Sequence, residues 1–404
     1  MADSKDLRRL NQKKILKALL GRGVATRAEL ARAVELSQPT AGAIVDDLLT
    51  AQILENSDAP TAANGNDELG KQAETWASAR VGRPGRLVRL DRTRQRFLAI
   101  ELGVRHTRVA RVPVGVTDSD WEFTVPTPAS SGEWANRLTK AVKRRLDESI
   151  EAVLLSVPGV VDERNSRVLL CPNLRWVERM NLPDLLRGTF GVPTLLVQEI
   201  RALALGELAV NTNCEDFLLV DIGDGVGGAA VIGGRLFESP LPLSGELGHD
   251  PVWGNQRTCG CGAVGCVETL VARRGLLASF DASNPKGPRT WAGLLRHIQE
   301  NGVPRWLTDG LDALGIAIAG ALNVLGVHRV IVTGILNELP APVMAGLSRV
   351  VMKGAIWARF GEVTCETAPR RRMAGLVSAA IDRILLPDVD DIAGKEFRLT
   401  GNAG

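Results

Sequence analysis

The sequence predicts an α/β protein: a small helical N-terminal domain followed by a two-lobed α/β body. Three observations carry this. Helix caps and basic charge gather in the first ninety residues, strand–glycine-turn modules recur from Arg96 onward, and four potential metal ligands crowd between His249 and Cys266. At 404 residues, two or three domains are expected, and 45% apolar content supplies their cores. No run of eighteen apolar residues occurs, so no membrane span is expected. The N-terminus MADSKDLRRLNQKK lacks the apolar centre of a signal peptide, and a cytoplasmic location is expected, where thiols stay reduced.

The net charge of +3 says little, but its distribution is uneven. Lys5 to Arg32 holds nine basic residues against two acidic ones, and Arg80 to Arg96 holds seven arginines against one aspartate. Between them, residues 57–78 are small, polar and slightly acidic and read as a mobile wing tip or linker. Two basic stretches of this kind suggest a polyanionic partner, and an ordinary solvated surface is the bland alternative.

Residues 1–91 read as a winged helix-turn-helix. Ile15, Leu16, Leu19 and Leu20 mark one face of a first helix that glycines end. Thr26 with Glu29 forms a capping box, so a second helix starts at Arg27 and ends near Glu35. Ser37 caps a third helix from Gln38 to about Thr50, with Ile44, Val45, Leu48 and Leu49 inward. Its first turn is polar or small, as a helix entering the major groove requires. Ser37, Gln38, Pro39, Thr40 and Ala43 are the expected DNA contacts, with Ala41 beside them. Gln38 can pair with an adenine edge, and Thr40 with a phosphate or a thymine methyl. Ile53–Glu55 and Val81–Leu90 would form the wing, with Arg83 and Arg86 flanking a turn suited to the minor groove. One helix-turn-helix reads a half-site, so a homodimer or homotetramer on double-stranded DNA with an inverted repeat is expected. A helical bundle for protein contacts is the alternative.

From Arg96 the texture changes. Residues 96–114 read as two strands turning at Gly103, 151–162 as a buried strand ending at Pro158-Gly159, and Thr194–Val197 as a strand entering a helix. Residues 216–236 repeat strand, glycine turn and strand, and 314–336 give a helix and then a strand ending at Gly334. The modules at Glu101–Thr107 and Asp221–Gly228 suggest an actin-like, sugar-kinase-like body. The expected division gives residues 92–197 plus about 381–404 to the first lobe. Residues 198–380 make the second, with the metal site and oligomer contacts.

His249, Cys259, Cys261 and Cys266 offer one nitrogen and three thiolates, a closed set suited to one structural zinc per chain. Glycines 260, 262 and 265 let the backbone wrap an ion. Cys171, Cys214 and Cys365 stand alone and read as small core residues.

GELGH followed by CGCGAVGCVE resembles the signature of the ROK family, which groups repressors, open reading frames and kinases. LRRLNQKKILKALL, VGRPGRLVRL, SVPGVVD, PNLRW, the LGE at 205–207 and GDGVGGAAVIGGRL follow the family's order over nearly the whole chain. The resemblance is to its sugar-responsive repressors, such as the xylose and N-acetylglucosamine repressors. It implies that Glu246, His249 and Glu268 contact sugar hydroxyls. It also implies that Gly159, Asn173, Gln198 and Glu199 line the same cleft. The family's kinases carry Asn-Asp where this chain has Gln198-Glu199, and Asp-x-Gly-Gly-Thr where it has Glu101-Leu-Gly-Val104-Arg105. Asp224 puts a negative charge in the second phosphate turn. The resemblance therefore implies a sugar-responsive DNA-binding repressor of carbohydrate uptake or catabolism genes that is not an enzyme. An ATP-dependent sugar kinase with an appended DNA-binding domain, and a repressor controlled by a protein partner, are the alternatives.

Overall fold

A computed structural model describes residues 4–57, 86–116, 121–142, 149–211, 216–241, 244–284 and 289–387. The first domain comprises α1 (Ser4–Arg22), β1 (Val24–Thr26), α2 (Arg27–Ala33), α3 (Gln38–Thr50), β2 (Leu54–Ser57) and β3 (Leu87–Leu90). Gly23, at φ 75°, ends α1, as a residue without a Cβ can do. The capping box is present: Thr26 accepts from the Glu29 N–H while Glu29 accepts from Thr26. Ser37 caps α3 by accepting from the Thr40 N–H. The wing is a three-stranded sheet in the order β1-β3-β2. Its β1 escaped the sequence reading, because three residues carry no periodicity and pair only with the distant β3. Residues 58–85, including the supposed wing tip and Arg83, lie outside the described residues.

The body holds two five-stranded sheets of the same plan. The first contains β4 (Phe97–Leu102), β5 (His106–Val112), β6 (Phe123–Pro126), β7 (Ala152–Val157) and β10 (Thr194–Gln198), in the order β10-β7-β4-β5-β6. The second contains β11 (Phe217–Ile222), β12 (Val226–Ile232), β13 (Arg235–Leu236), β14 (Arg329–Gly334) and β15 (Thr364–Thr367), in the order β13-β12-β11-β14-β15. In each, three antiparallel strands are followed by two parallel ones. The parallel strands are buried runs of Val, Leu and Ile, as helix-covered sheets require. A separate hairpin pairs β8 (Val160–Asp162) with β9 (Arg167–Leu170). The helices are α4 (Ser131–Val142), α5 (Leu182–Phe190), α6 (Glu199–Val210), α7 (Glu268–Val271), α8 (Arg273–Ser283), α9 (Trp291–Asn301), α10 (Arg305–Leu325), α11 (Ala341–Gly354) and α12 (Arg372–Ala380).

Helices α6 and α12 cross where the lobes meet. A Cβ on Gly375 would lie 1.7 Å from the Ala202 carbonyl, and one on Gly206 1.9 Å from the Arg371 carbonyl, so only glycine fits either site. Ala202 belongs to the core of the first sheet, while Ile200, Leu203 and Ala204 belong to that of the second. The expected return to the first lobe near 381 needs correction. Met373, Leu376, Val377 and Ala380 already share a core with Phe97 and Leu154, so the return begins with α12 at Arg372. Residues 388–404 lie outside the described residues.

The N-terminal domain is docked on the first lobe. Ile15, Leu16 and Val45 belong to the same apolar core as Val112 and Leu386. Arg96 donates to the Ala51 carbonyl at 3.1 Å, and Arg94 to Gln52 Oε1 at 2.7 Å, so the body holds the C-terminal end of α3. Glu151 pairs with both arginines at 3.0 and 3.3 Å. Lys17 pairs with Asp382 at 2.9 Å.

Candidate functional site

The four candidate metal ligands are brought together by the chain between Gly245 and Thr269. Gly245, at φ 81°, accepts from the Gly228 N–H at 2.7 Å, and a Cβ there would meet the Gly228 carbonyl at 1.6 Å. This close approach starts the short turn Leu247–His249. Gly262 and Gly265, at φ 99° and 92°, then turn the backbone between the cysteines. Arg257 anchors the loop by donating to the carbonyl of Thr269 and to Ser279 Oγ, both at 2.8 Å. The ligand atoms of His249, Cys259, Cys261 and Cys266 all lie within 4.8 Å of one another. Cys259 Sγ is 3.6 Å from His249 Nδ1, and Cys261 Sγ is 3.8 Å from Cys266 Sγ. A tetrahedral zinc with bonds of about 2.3 Å separates its thiolates by about 3.8 Å. Burial pushes the Cys259 thiol up to about 12, and a divalent cation offsets the cost of holding such a group as thiolate. The donor set and its spacing fit zinc.

The same loop forms one wall of a cleft between the lobes, with about 190 Å³ of room. Drug-sized sites typically hold ~300–1,000 Å³, so the space favours a small ligand. Gly159, Asn173, Gln198, Glu199, Glu246, His249 and Glu268 all line it. Glu246 Oε2 is 3.7 Å from His249 Nε2, so the imidazole stands between the cysteine cluster and the cleft. Burial pushes the Glu246 carboxyl above its usual range, opposed by His249. Gln198 donates its amide to the Gly159 carbonyl at 2.8 Å. Glu268 accepts from the Val226 N–H at 3.1 Å and lies 3.7 Å from Cys259 Sγ, which ties the second glycine turn to the cysteine loop. Arg175 donates to the Gly260 carbonyl at 2.8 Å, so the first lobe touches the loop between Cys259 and Cys261.

The opposite arm of the cleft is filled with ion pairs. Arg370 grips Asp221 at 2.6 and 2.8 Å, and Arg371 pairs with Glu207 at 3.4 Å. The buried Arg372 pairs with Glu101 at 3.1 Å and with Glu199. Burial pushes the Glu199 carboxyl up, against the pull of Arg372. Arg105 reaches across to Asp224 at 3.4 Å. The sequence reading missed the arginines. Its available signal was the run Arg370-Arg371-Arg372, but their partners are remote in sequence. Two expectations change in detail. Val104 packs partly against the first-lobe core as well as edging the cleft. Asp224 stands as half of an ion pair with Arg105, so its charge is partly compensated.

On the N-terminal domain, Ser37, Gln38, Pro39, Thr40 and Ala43 are exposed along the start of α3, and Arg86 is exposed beside β3. Ala41, expected on that accessible first turn, is instead fully buried, because it faces α1 and α2. Asp46 and Asp47 further along α3 pair with Arg27 and Arg8. Cys171 is buried and Cys365 half-buried, both with free thiols, and Cys214 lies outside the described residues.

The ROK family profile matches residues 98–381. A putative xylose repressor of Caldicellulosiruptor sp. (strain Rt8B.4) is 24% identical over 95% of this chain and 98% of its own length. A crystal structure of a ROK family transcriptional regulator, described as a homologue of the E. coli MLC protein, superposes with a TM-score of 0.70. It is 18% identical and covers 93% of this chain and 97% of its own. A ROK family glucokinase of Streptomyces griseus, solved with glucose and AMPPNP, gives a TM-score of 0.56 at 22% identity. That match spans 70% of this chain and 97% of the glucokinase, so the fold is shared beyond the regulators. With its profile spanning both lobes, this chain belongs to the ROK family.

Proposed function

We propose that the protein is a sugar-responsive, DNA-binding transcriptional repressor whose structural zinc orients the sugar site. The observation that carries this is one continuous connection. A helix with an exposed polar first turn is bonded at its other end to a body whose cleft gathers Glu246, His249 and Glu268. Carboxylates suit a sugar because each accepts two hydroxyl hydrogen bonds. Full-length similarity to a protein named as a repressor supports the reading. The operator would be an inverted repeat read by paired half-site domains. Ser37, Gln38, Pro39, Thr40, Ala43 and Arg86 would meet DNA, and so would Arg83, which lies outside the described residues.

The cleft also supports a chain without kinase activity. The Arg370 guanidinium lies so close over Gly223 that a Cβ there would be 2.7 Å from Nη2. That turn is where backbone amides of such a fold would receive phosphate. Arg372 neutralises Glu199, the carboxylate in the position of a general base. With sugar, ATP and magnesium, a coupled assay is expected to stay at background. Turnover that vanishes in Glu199→Ala would overturn the assignment.

Calorimetric titration against a panel of monosaccharides and sugar phosphates, followed by operator binding with and without the sugar that binds, tests the whole reading. Glu246→Ala should abolish the sugar effect and leave sugar-free DNA affinity unchanged. The expected coupling is ~1–3 kcal/mol. A full sugar response in that variant would remove Glu246 from the site. On DNA, Gln38→Ala should cost ~1–3 kcal/mol of discrimination at one base pair. Arg86→Ala should weaken binding to all sequences and reduce the salt slope by about one. Anisotropy titrations across salt would separate these effects.

A further inference from the structure

Gln198 grips both flanks of β8. Its side-chain amide donates to the Gly159 carbonyl in the cleft wall, and its N–H donates to Glu163 Oε1, both at 2.8 Å. The Glu163 side chain is only 8% exposed, and it carries two further contacts, to Arg201 at 3.1 Å and to Arg383 at 2.7 Å. Arg383 lies in a π-helical turn, Ile381–Leu385, that continues α12. The Leu386 N–H there donates to the Ile381 carbonyl, five residues back, at 3.0 Å. Such turns are infrequent, and they concentrate at functional sites because the extra residue interrupts regular winding. Next to Arg383, Asp382 faces the N-terminal domain. It pairs with Lys17 of α1 at 2.9 Å and approaches the buried Lys13 at 4.0 Å. Ile381 and Leu386, which frame the turn, share the apolar core of Ile15 and Leu16 in α1. Glu163, Arg383, Asp382 and Lys17 thus form a continuous line of charge from the cleft wall to the N-terminal domain.

We propose that Glu163, Arg383 and Asp382 are positioning residues that couple occupancy of the cleft to the orientation of α3. This rests on the sugar-responsive reading above and names the route of its regulation. Two attachments hold the N-terminal domain to the body, and they act on different helices. Arg94 and Arg96 fix the C-terminal end of α3, which makes that end a pivot. The Asp382–Lys17 pair acts on α1, and α1 reaches α3 through the Arg8–Asp47 pair. Helix α3 has 13 residues, about 20 Å at 1.5 Å each, so a rotation of about 5° at the pivot moves Gln38 by about 2 Å. A ligand hydroxyl that claims the Gln198 amide releases Gly159 and lets β8 shift, and Glu163 passes the shift to Arg383. The link is stiff because a buried carboxylate parted from its guanidinium is left uncompensated, at greater cost than a small rotation that keeps the pair. The π turn supplies the freedom to move. Rewinding it to α geometry rotates the residues that follow by up to ~100°, so ion pairs at either side bias its winding. An element of this kind, biased from both ends, is what coupling between distant sites requires.

Hydrogen–deuterium exchange of the full chain, read by mass spectrometry, tests this in two arms. The first uses no sugar and no DNA. Gln198→Ala should speed exchange in α1 and at the start of α3 by at least about threefold. Gln198→Asn, which shortens the reach to Gly159 by one methylene, is the milder second variant. In an Asp382→Asn background neither change should add anything, because links in series are not additive. Arg383→Gln should likewise remove the response, and Arg383→Lys should keep it, since the contact to Glu163 Oε2 needs one charged donor. Additive effects of Gln198→Ala and Asp382→Asn would show two independent structural supports and overturn the proposal. So would unchanged exchange in α1 and α3 of both Gln198 variants. The second arm adds saturating D-xylose or D-glucose. The wild type should respond both in the Gly245–Thr269 loop and in α3, whereas Asp382→Asn and Arg383→Gln should keep the loop response and lose that of α3. A response of α3 that survives both variants would overturn the proposal. If neither sugar alters the loop, the sugar reading fails for these ligands, and the sugar-free arm still decides the relay.

Discussion

Full-length protein prepared without chelators is expected to hold about one zinc ion per chain, and Cys261→Ser to lose it. Serine is nearly isosteric with cysteine, and Cys261 is the half-buried thiol of the three, so the exchange removes a ligand with little change in packing. Without the ion, the loop retains two isolated backbone bridges, Pro251 with Cys266 and Thr258 with Val264, and the anchor of Arg257. His249 then has no fixed ring position, and Glu246 beside it has no fixed partner. Sugar affinity should fall by ~10–100-fold or more, in keeping with the loss of groups that orient a site. Elemental analysis and calorimetry on the same preparations would check this. Zinc-free protein that binds sugar as tightly as the wild type would sink the orienting role, and absence of zinc from never-chelated protein would sink the site itself.

Arg372→Ala is expected to destabilise the body by about 3–5 kcal/mol, because it leaves Glu101 and Glu199 without their shared buried cation. The guanidinium lies at the first turn of α12, so its loss also disturbs the crossing with α6. Replacing all three charges, as Glu101→Gln/Glu199→Gln/Arg372→Met, should recover much of the loss, since the penalty comes from unpaired charge. Urea denaturation followed by tryptophan fluorescence would report both changes. An Arg372→Ala variant with the wild-type midpoint would mean that water reaches these carboxylates and that the arm of the cleft is open.

Local signals were legible in the chain. Thr26 with Glu29, and Ser37 before Gln38, fixed two helix starts because a cap acts within four residues. Gly103, Gly223 and Gly334 marked turns at strand ends because close backbone approach admits no side chain. The spacing of His249, Cys259, Cys261 and Cys266 pointed to a metal because those donors have few other uses where thiols are expected to stay reduced. Other features had no local signature. Arg370 and Arg372 find their carboxylates 149 and 173 positions away, so the run of arginines could not disclose its partners. Helix α12 belongs to the first lobe because its apolar face meets Phe97 and Leu154. Val324 would read as one more core residue of an apolar helix, and only packing turned it outward. The sequence by itself determined the caps, the turns and the candidate metal donors, whose causes lie within a few residues. Tertiary structure decided which charges neutralise one another, which lobe claims a helix and which apolar face stays uncovered. Those outcomes depend on the path of the chain between distant segments, where burial makes an unpaired charge costly and packing selects its partner.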